Sequence, residues 1–184
     1  SGIPESQIIG SGTLLDTARL RNGLSQHFEV AQGNIHAYVF GEHGDSSFVP
    51  WSCASVSGVG LDEYAALMKS FGQEVEDLDK EGMVDFVHKS GGIVIANKGA
   101  TFYAIASSVC KLCSILSSST DSVITVSSMM HGEYGIEDVC ISTLTLAGPH
   151  GIRGKVPVKL NDEEIEKLQA SANALKEVIA QIEL

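Results

Sequence analysis

The chain has 184 residues, 43% of them hydrophobic, 19% charged and 6% aromatic, a mixture that excludes disordered and fibrous classes. Twelve Lys and Arg against 23 Asp and Glu leave a net charge of -11. That balance excludes the clustered cations that a nucleic-acid backbone or an anionic membrane surface demands. A chain of this length is expected to fold as a single domain over residues 1–184, with a buried core and no disulfide or metal staple.

Residues 1–12 carry Gly2, Pro4, Gly10 and Gly12 and read as a turn-rich entry. Leu14, Leu15, Ala18, Leu24 and Phe28 recur at helical spacing, so a helix is predicted from Leu14 to about Val30, with Gly23 as its weak point. Residues 35–40 are rich in β-branched and aromatic side chains and predict a strand, followed by a polar loop from Gly41 to Asp45. Residues 48–56 predict a second strand with Pro50 at an edge or bulge. Helices are predicted from Leu61 to Phe71, from near Met83 with a weakness at Gly91-Gly92 and a break at Gly99, and from Thr101 to about Ser117. The last of these is expected to bury Phe102, Ile105, Ala106, Val109, Leu112, Cys113 and Leu116 along one face. Strands follow at 121–130 and 136–147, with a short one from Val156 to Leu160. Asn161 with Glu164 makes a capping box for a final helix over 162–182. The order of elements is α+β, not a regular βαβ alternation.

Cys53, Cys110, Cys113 and Cys140 are too few for a secreted disulfide scaffold, and their apolar settings suit reduced cytosolic thiols. The Cys110–Cys113 pair lies inside an apolar helix without a second pair or a spaced His, which favours core packing over metal or redox chemistry. No metal site is expected. No leader peptide or apolar run of about 18 residues is visible. The chain starts at Ser1 without Met and reads as mature, processed or truncated.

Three segments concentrate polar groups beyond what patterning needs. Asp16 and Arg19 are three apart, which places them on one helix face; the guanidinium suits a carboxylate or phosphate, although from spacing alone a plain surface ion pair is the favoured reading. His43 follows a predicted strand in Gly41-Glu-His-Gly-Asp45, where an imidazole can move protons and a nearby carboxylate can fix its tautomer; a solvated turn is the alternative. Thr101 precedes the long apolar helix, where it either caps the helix or joins an anion-binding N-terminus. His27, His88, His131 and His150 read as ordinary polar positions. No phosphate-binding or dinucleotide glycine motif is present.

Taken together, Gly10-Ser-Gly-Thr-Leu-Leu-Asp-Thr-Ala-Arg-Leu-Arg21, Gly41-Glu-His-Gly-Asp-Ser46, Lys98-Gly-Ala-Thr101 and Gly132-Glu-Tyr-Gly135 resemble the lactate/malate dehydrogenase family in order and spacing. The resemblance runs over essentially the whole chain and corresponds to the C-terminal, catalytic half. It implies the fold of that half and an NAD-dependent exchange of pyruvate and L-lactate in a cytoplasmic, fermentative enzyme. It implies that His43 is the proton donor and acceptor for the substrate's C2 oxygen, Asp16 the carboxylate that orients it, and Arg19 the clasp for the substrate carboxylate. Thr101 matches a position lining the substrate pocket and Ile105 the apolar wall for the nicotinamide ring. The NAD-binding half, with its glycine-rich turn and mobile loop, is expected upstream of Ser1, and the fragment alone is expected to be inactive. Arg21 and His36 match positions where allosteric bacterial members bind fructose 1,6-bisphosphate across a two-fold interface of a dimer or tetramer. A malate or other L-2-hydroxy-acid dehydrogenase is the near alternative, and a non-catalytic oligomerisation module the distant one. Residues 90–98 are more glycine-rich than the family's usual helix.

Overall fold

The computed structural model describes residues 2–182, which form two three-stranded antiparallel sheets and five helices. Helix α1 (Leu14–Phe28) buries Leu20, Leu24 and Phe28 from one stripe, as its spacing requires. Gly23 belongs to the same stripe. A Cβ there would stand 2.6 Å from Met83 Sδ, so the end of that side chain, which α3 (Lys80–Lys98) lays against α1, would have to shift. These helices, with Ile35, Val39, Val56 and Leu61, enclose the first of two cores. The small sheet of this half pairs β1 (Ile35–His36), β2 (Ser55–Val56) and β3 (Val59–Gly60), and β3 leads directly into α2 (Leu61–Ser70).

The second core lies between the larger sheet and α5 (Asp162–Ile179), where Phe40, Met130, Ile141, Leu168 and Ala172 meet. Strands β4 (Ser122–His131), β5 (Glu137–Gly148) and β6 (Gly151–Lys155) run in sequence order. β5 is the middle strand, and Ile141 to Thr145 are buried without alternation, because neighbouring elements cover both of its faces. The β4–β5 turn holds Tyr134 in left-handed backbone, φ 56°. The tyrosine hydroxyl donates to Val158 O at 3.0 Å and accepts from Val158 N at 2.9 Å, while Gln169 donates to its carbonyl. Those bonds hold a conformation that costs a non-glycine residue of order 1–3 kcal/mol. Asn161 and Glu164 form the capping box on α5, and Glu164 also accepts from the Ser52 amide at 3.0 Å.

Several boundaries differ from expectation. Of residues 35–40 only Ile35–His36 is paired strand; Phe40 and Gly41 make isolated bridges to Phe48 and Ser142. After Phe48 the chain turns through a short helical segment, Trp51–Cys53, so 48–56 is not a continuous strand. α3 begins at Lys80, before Met83, because the Asp79 carboxylate caps it by accepting from Gly82 N at 2.8 Å. It runs unbroken through Gly91-Gly92 to Lys98. The strand expected at 156–160 lies instead at Gly151–Lys155. The final helix stops at Ile179.

Helix α4 (Tyr103–Leu116) also departs from its prediction. It buries Ser108, Leu112 and Ile115 and leaves Phe102, Val109, Cys110 and Cys113 exposed. It rests on α1 and β5 along one narrow stripe, which does not coincide with its most apolar face. Phe86, Ile93, Val94 and Ile95 of α3 are exposed as well. The CxxC pair is therefore not core packing, and the described residues hold no His, Cys, Asp and Glu cluster that would bind a metal. No described helix is long and apolar enough to cross a membrane.

Candidate active site

The site begins with two threonines, Thr13 at the N-cap position of α1 and Thr17 in its first turn. Thr13 Oγ1 donates to Val39 O at 2.5 Å, and Thr17 Oγ1 accepts from Val39 N at 3.0 Å and from Thr125 Oγ1 at 2.9 Å. These bonds stitch the first turn of α1 to the extended segment that ends at Gly41. Gly41 has φ 101° and bonds Ser142 through both its N–H and its carbonyl. A Cβ at Gly41 would lie 2.8 Å from Ser171 Oγ, so only glycine makes this turn against α5. The loop after it is braced from two sides. Glu42 accepts from Ser46 Oγ at 2.7 Å and Ser171 Oγ accepts from Glu42 N at 2.9 Å, while Ser47 Oγ meets His88 Nε2 on α3 at 2.8 Å.

This bracing brings His43 to Asp16 across 27 residues of sequence. His43 Nδ1 lies 2.6 Å from Asp16 Oδ2, and Arg19 Nη1 donates to Asp16 Oδ1 at 3.1 Å. One buried carboxylate thus serves both partners, one on each oxygen. The His43 ring is 63% exposed, the Asp16 carboxylate 7% and the Arg19 side chain 16%, so the imidazole faces an opening while its carboxylate is shielded. Among the hydrogen bonds of the described residues, Arg19 uses Nη1 alone. The rest of its fork remains available to an anion, which it can grip in the planar two-point manner.

Asp16, Arg19, His43, Thr101 and Ile105 all line one cavity of 340 Å³. Leu15, Gly44, Asp45 and Ser47 line it as well, and sequence reasoning missed the wall that α3 supplies: His88, Gly91, Gly92 and Ile95. Nothing at the sequence level marked His88, because its link to Ser47 is purely tertiary. From the sequence, Gly91 and Gly92 signal a weak point in the helix and not a cavity wall. Thr101 does not cap α4: Phe102 holds the cap position and no side chain bonds there. Ile105, one turn into α4, is half-buried.

Arg21 and His36 lie outside this cavity. Arg21 Nε donates to Ala37 O at 2.9 Å, and its guanidinium carbon stands 5.0 Å from the centre of the Tyr38 ring. That anchorage is one residue from His36, which is exposed on β1. At the far end of the larger sheet, burial against β4 pushes the Lys155 ammonium down to about 8. Lys155 donates there to the carbonyl and hydroxyl of Ser128.

Residues 13–183 match the family model described as lactate/malate dehydrogenase, alpha/beta C-terminal domain. The chain belongs to the lactate/malate dehydrogenase family. It is 41% identical over all 184 of its residues to an L-lactate dehydrogenase of Acetivibrio thermocellus, of which it covers 57%. A second L-lactate dehydrogenase, from Bacillus pumilus, is 41% identical over 181 residues and 56% covered. Among solved structures, an L-lactate dehydrogenase from Clostridium thermocellum superposes with a TM-score of 0.88 at 36% identity, over 100% of this chain and 59% of that one. A minor L-lactate dehydrogenase from Enterococcus mundtii gives 0.90 at 30%, over 100% and 57%. The chain therefore spans little more than half the length of these family members, and it has the fold of their C-terminal part.

Proposed function

We propose that this chain is the substrate-binding and proton-transfer part of an NAD-dependent L-lactate dehydrogenase that interconverts pyruvate and L-lactate. The observation that carries the reading is the Asp16 carboxylate held between His43 and Arg19 at the mouth of the cavity. With Nδ1 turned to Asp16, His43 keeps Nε2 for the C2 oxygen of the substrate. In the reducing direction His43 gives that oxygen a proton, and in the oxidising direction it takes one back. Asp16 fixes the tautomer and stabilises the imidazolium while it lasts. Arg19 binds the substrate carboxylate and so sets which face of the carbonyl is presented. Thr101 lines the space for the substrate side chain.

The cofactor belongs to the part of the protein beyond this chain, which we take to be an NAD-binding domain. This chain offers it one wall: Ile105, apolar and half-buried beside His43, fits the flat face of a nicotinamide ring. Bound there, the nicotinamide supplies the hydride. The chain alone is accordingly inactive, and the whole protein acts in the cytoplasm as a dimer or tetramer. Arg21 and His36, doubled across a two-fold axis, make a cationic site for fructose 1,6-bisphosphate in an otherwise acidic protein.

The test is an assay of the full-length protein with NADH, offering pyruvate and oxaloacetate side by side, with and without fructose 1,6-bisphosphate. Preference for pyruvate supports the lactate reading, and activation supports the effector site. Preference for oxaloacetate moves the protein to the malate branch, and turnover by the isolated chain refutes the division of labour.

A further inference from the structure

A second cavity, of 190 Å³, opens on the larger sheet and shares no residue with the one around His43. Two backbone features build it. The short helical segment Glu5–Gln7 lies so close to β6 that a Cβ on Gly151 would stand 2.2 Å from Ser6 O. Within β6 the register against β5 passes from Ala147–Ile152 to Leu146–Gly154, which leaves Arg153 as the extra residue of a bulge. Arg153 and Lys155 both line the space so formed.

The setting of Lys155 differs from that of the paired lysines. Lys69, Lys80, Lys89 and Lys167 each meet a carboxylate, which holds the proton on the amine. Among the described residues Lys155 makes no such pair. Its Nζ donates to Ser128 O at 3.2 Å and to Ser128 Oγ at 2.5 Å, which leaves one position on the nitrogen without a partner among them. The carboxylates of the cavity are engaged elsewhere: Glu5 Oε1 lies 2.6 Å from His131 Nε2, and Glu133 Oε2 accepts from His131 N at 2.7 Å. The Cys140 thiol on β5 is the remaining titratable group that acts on Lys155. Burial brings the proton loss of Lys155 down to about 8, with Glu133 and Cys140 pulling the other way. At pH 8 about half of it is free amine, against roughly 0.3% of an ordinary lysine.

A half-buried amine without its proton is a nucleophile, and a neutral amide made from it no longer has a charge to desolvate. The cavity is smaller than the sites of drug-sized ligands, about 300–1,000 Å³, so it admits a compact donor only. Arg153 gives Nη1 to Asp121 at 3.1 Å, and the rest of its fork suits a phosphate.

We infer that Lys155 is an acylation site that takes its acyl group from a small acyl phosphate seated on Arg153. Nζ attacks the carbonyl carbon and forms the C–N bond. The bond from that carbon to the bridging oxygen breaks, and its electron pair leaves with the phosphate, which also takes the proton shed by the nitrogen. The products are an amide and inorganic phosphate. The amide N–H still reaches Ser128, and the chain becomes one unit more negative than -11.

The experiment treats the full-length protein with acetyl phosphate at pH 8 and follows each lysine by peptide mass spectrometry, so its readout is independent of turnover. Lys155 is expected to be acetylated at least fivefold faster than any of the eight other lysines of this chain. A rate at Lys155 equal to or below theirs overturns the proposal. The Arg153→Met variant separates recognition of the phosphate from plain reactivity. Its Lys155 is expected to react at least threefold more slowly with acetyl phosphate and at an unchanged rate with acetic anhydride, which carries no phosphate. An unchanged rate with acetyl phosphate, or an equal loss with both reagents, removes Arg153 as the phosphate seat. Faster acetylation of Lys155 by acetyl-coenzyme A at equal concentration overturns the choice of an acyl phosphate as donor.

Discussion

Replacing Asp16 by Asn tests the centre of the mechanism with almost no change in shape. Oδ1 accepts from Arg19 Nη1 and Oδ2 faces His43 Nδ1, so the two sides of the carboxylate have opposite fates. Asn keeps its carbonyl oxygen toward Arg19, because a guanidinium offers only donors. Its amide then points at His43 and donates to Nδ1, which forces the imidazole proton onto Nε2. That tautomer cannot accept a proton from a 2-hydroxy acid, and the imidazolium needed to reduce a 2-oxo acid loses its counter-ion. A hydrogen bond to a charged group contributes about 1.5–3 kcal/mol. The Coulomb attraction of close charges near a protein surface adds to it, about 4 kcal/mol at 4 Å, but exposure of the His43 ring screens part of that. A loss of about 3 kcal/mol of transition-state stabilisation is expected, or roughly a hundredfold in kcat. Steady-state NADH oxidation by full-length Asp16→Asn, set beside its melting temperature, gives the answer. A kcat within threefold of wild type in a folded variant would refute the orienting role of Asp16.

Three further outcomes follow from named contacts. Arg19→Lys should raise KM for the substrate acid tenfold or more with a smaller change in kcat, because an ammonium cannot reproduce the two-point grip; an unaltered KM removes Arg19 from carboxylate binding. Lys155 has its proton loss brought down to about 8 from the usual 10.5, so between those values the unfolded chain holds a proton that the native state has released. Stability of the wild type relative to Lys155→Met should therefore rise as the pH goes from 7.5 to 9.5 in urea titrations, and a difference independent of pH contradicts the burial of that ammonium. Gly23→Ala sets a gain of about 1 kcal/mol in helix propensity against displacement of the flexible end of Met83, so a net change of no more than about 1 kcal/mol is expected, read as Tm, and a loss above about 2 kcal/mol would mean that Met83 is held rigidly.

The helices and long strands were legible where one physical signal dominates. α1 and α5 carry apolar stripes at helical spacing, α5 also its capping box, and β4 and β5 are runs of β-branched residues joined by a glycine-bearing turn. The region from 35 to 60 was misread because extended backbone and paired strand have the same composition. Whether Ala37 to Val39 pairs with a strand or with the threonines of α1 is decided by distant residues. β6 was missed because Gly151-Ile-Arg-Gly-Lys155 has no β pattern and takes its form from pairing with β5. At the site, the Asp16–Arg19 spacing could be read directly, whereas the approach of His43 depends on loop bracing by Ser171 and Ser47. Motif resemblance supplied that pairing before geometry did. His88, Gly91 and Gly92 matched no expected motif and became visible only as walls.

The apolar side chains that α3 and α4 leave uncovered bear on how this chain behaves in a test tube. Phe86, Ile93, Ile95, Phe102, Tyr103 and Val109 offer greasy surface to any other copy that drifts near. At neutral pH the charge of -11 holds copies apart, but that repulsion reaches only about 8 Å at physiological salt. As the pH falls toward the isoelectric point near 4.8 the charge vanishes while the greasy surface does not. The isolated chain is thus a colloid held in suspension by its acids, and mild acid or added salt is the condition under which it should cloud.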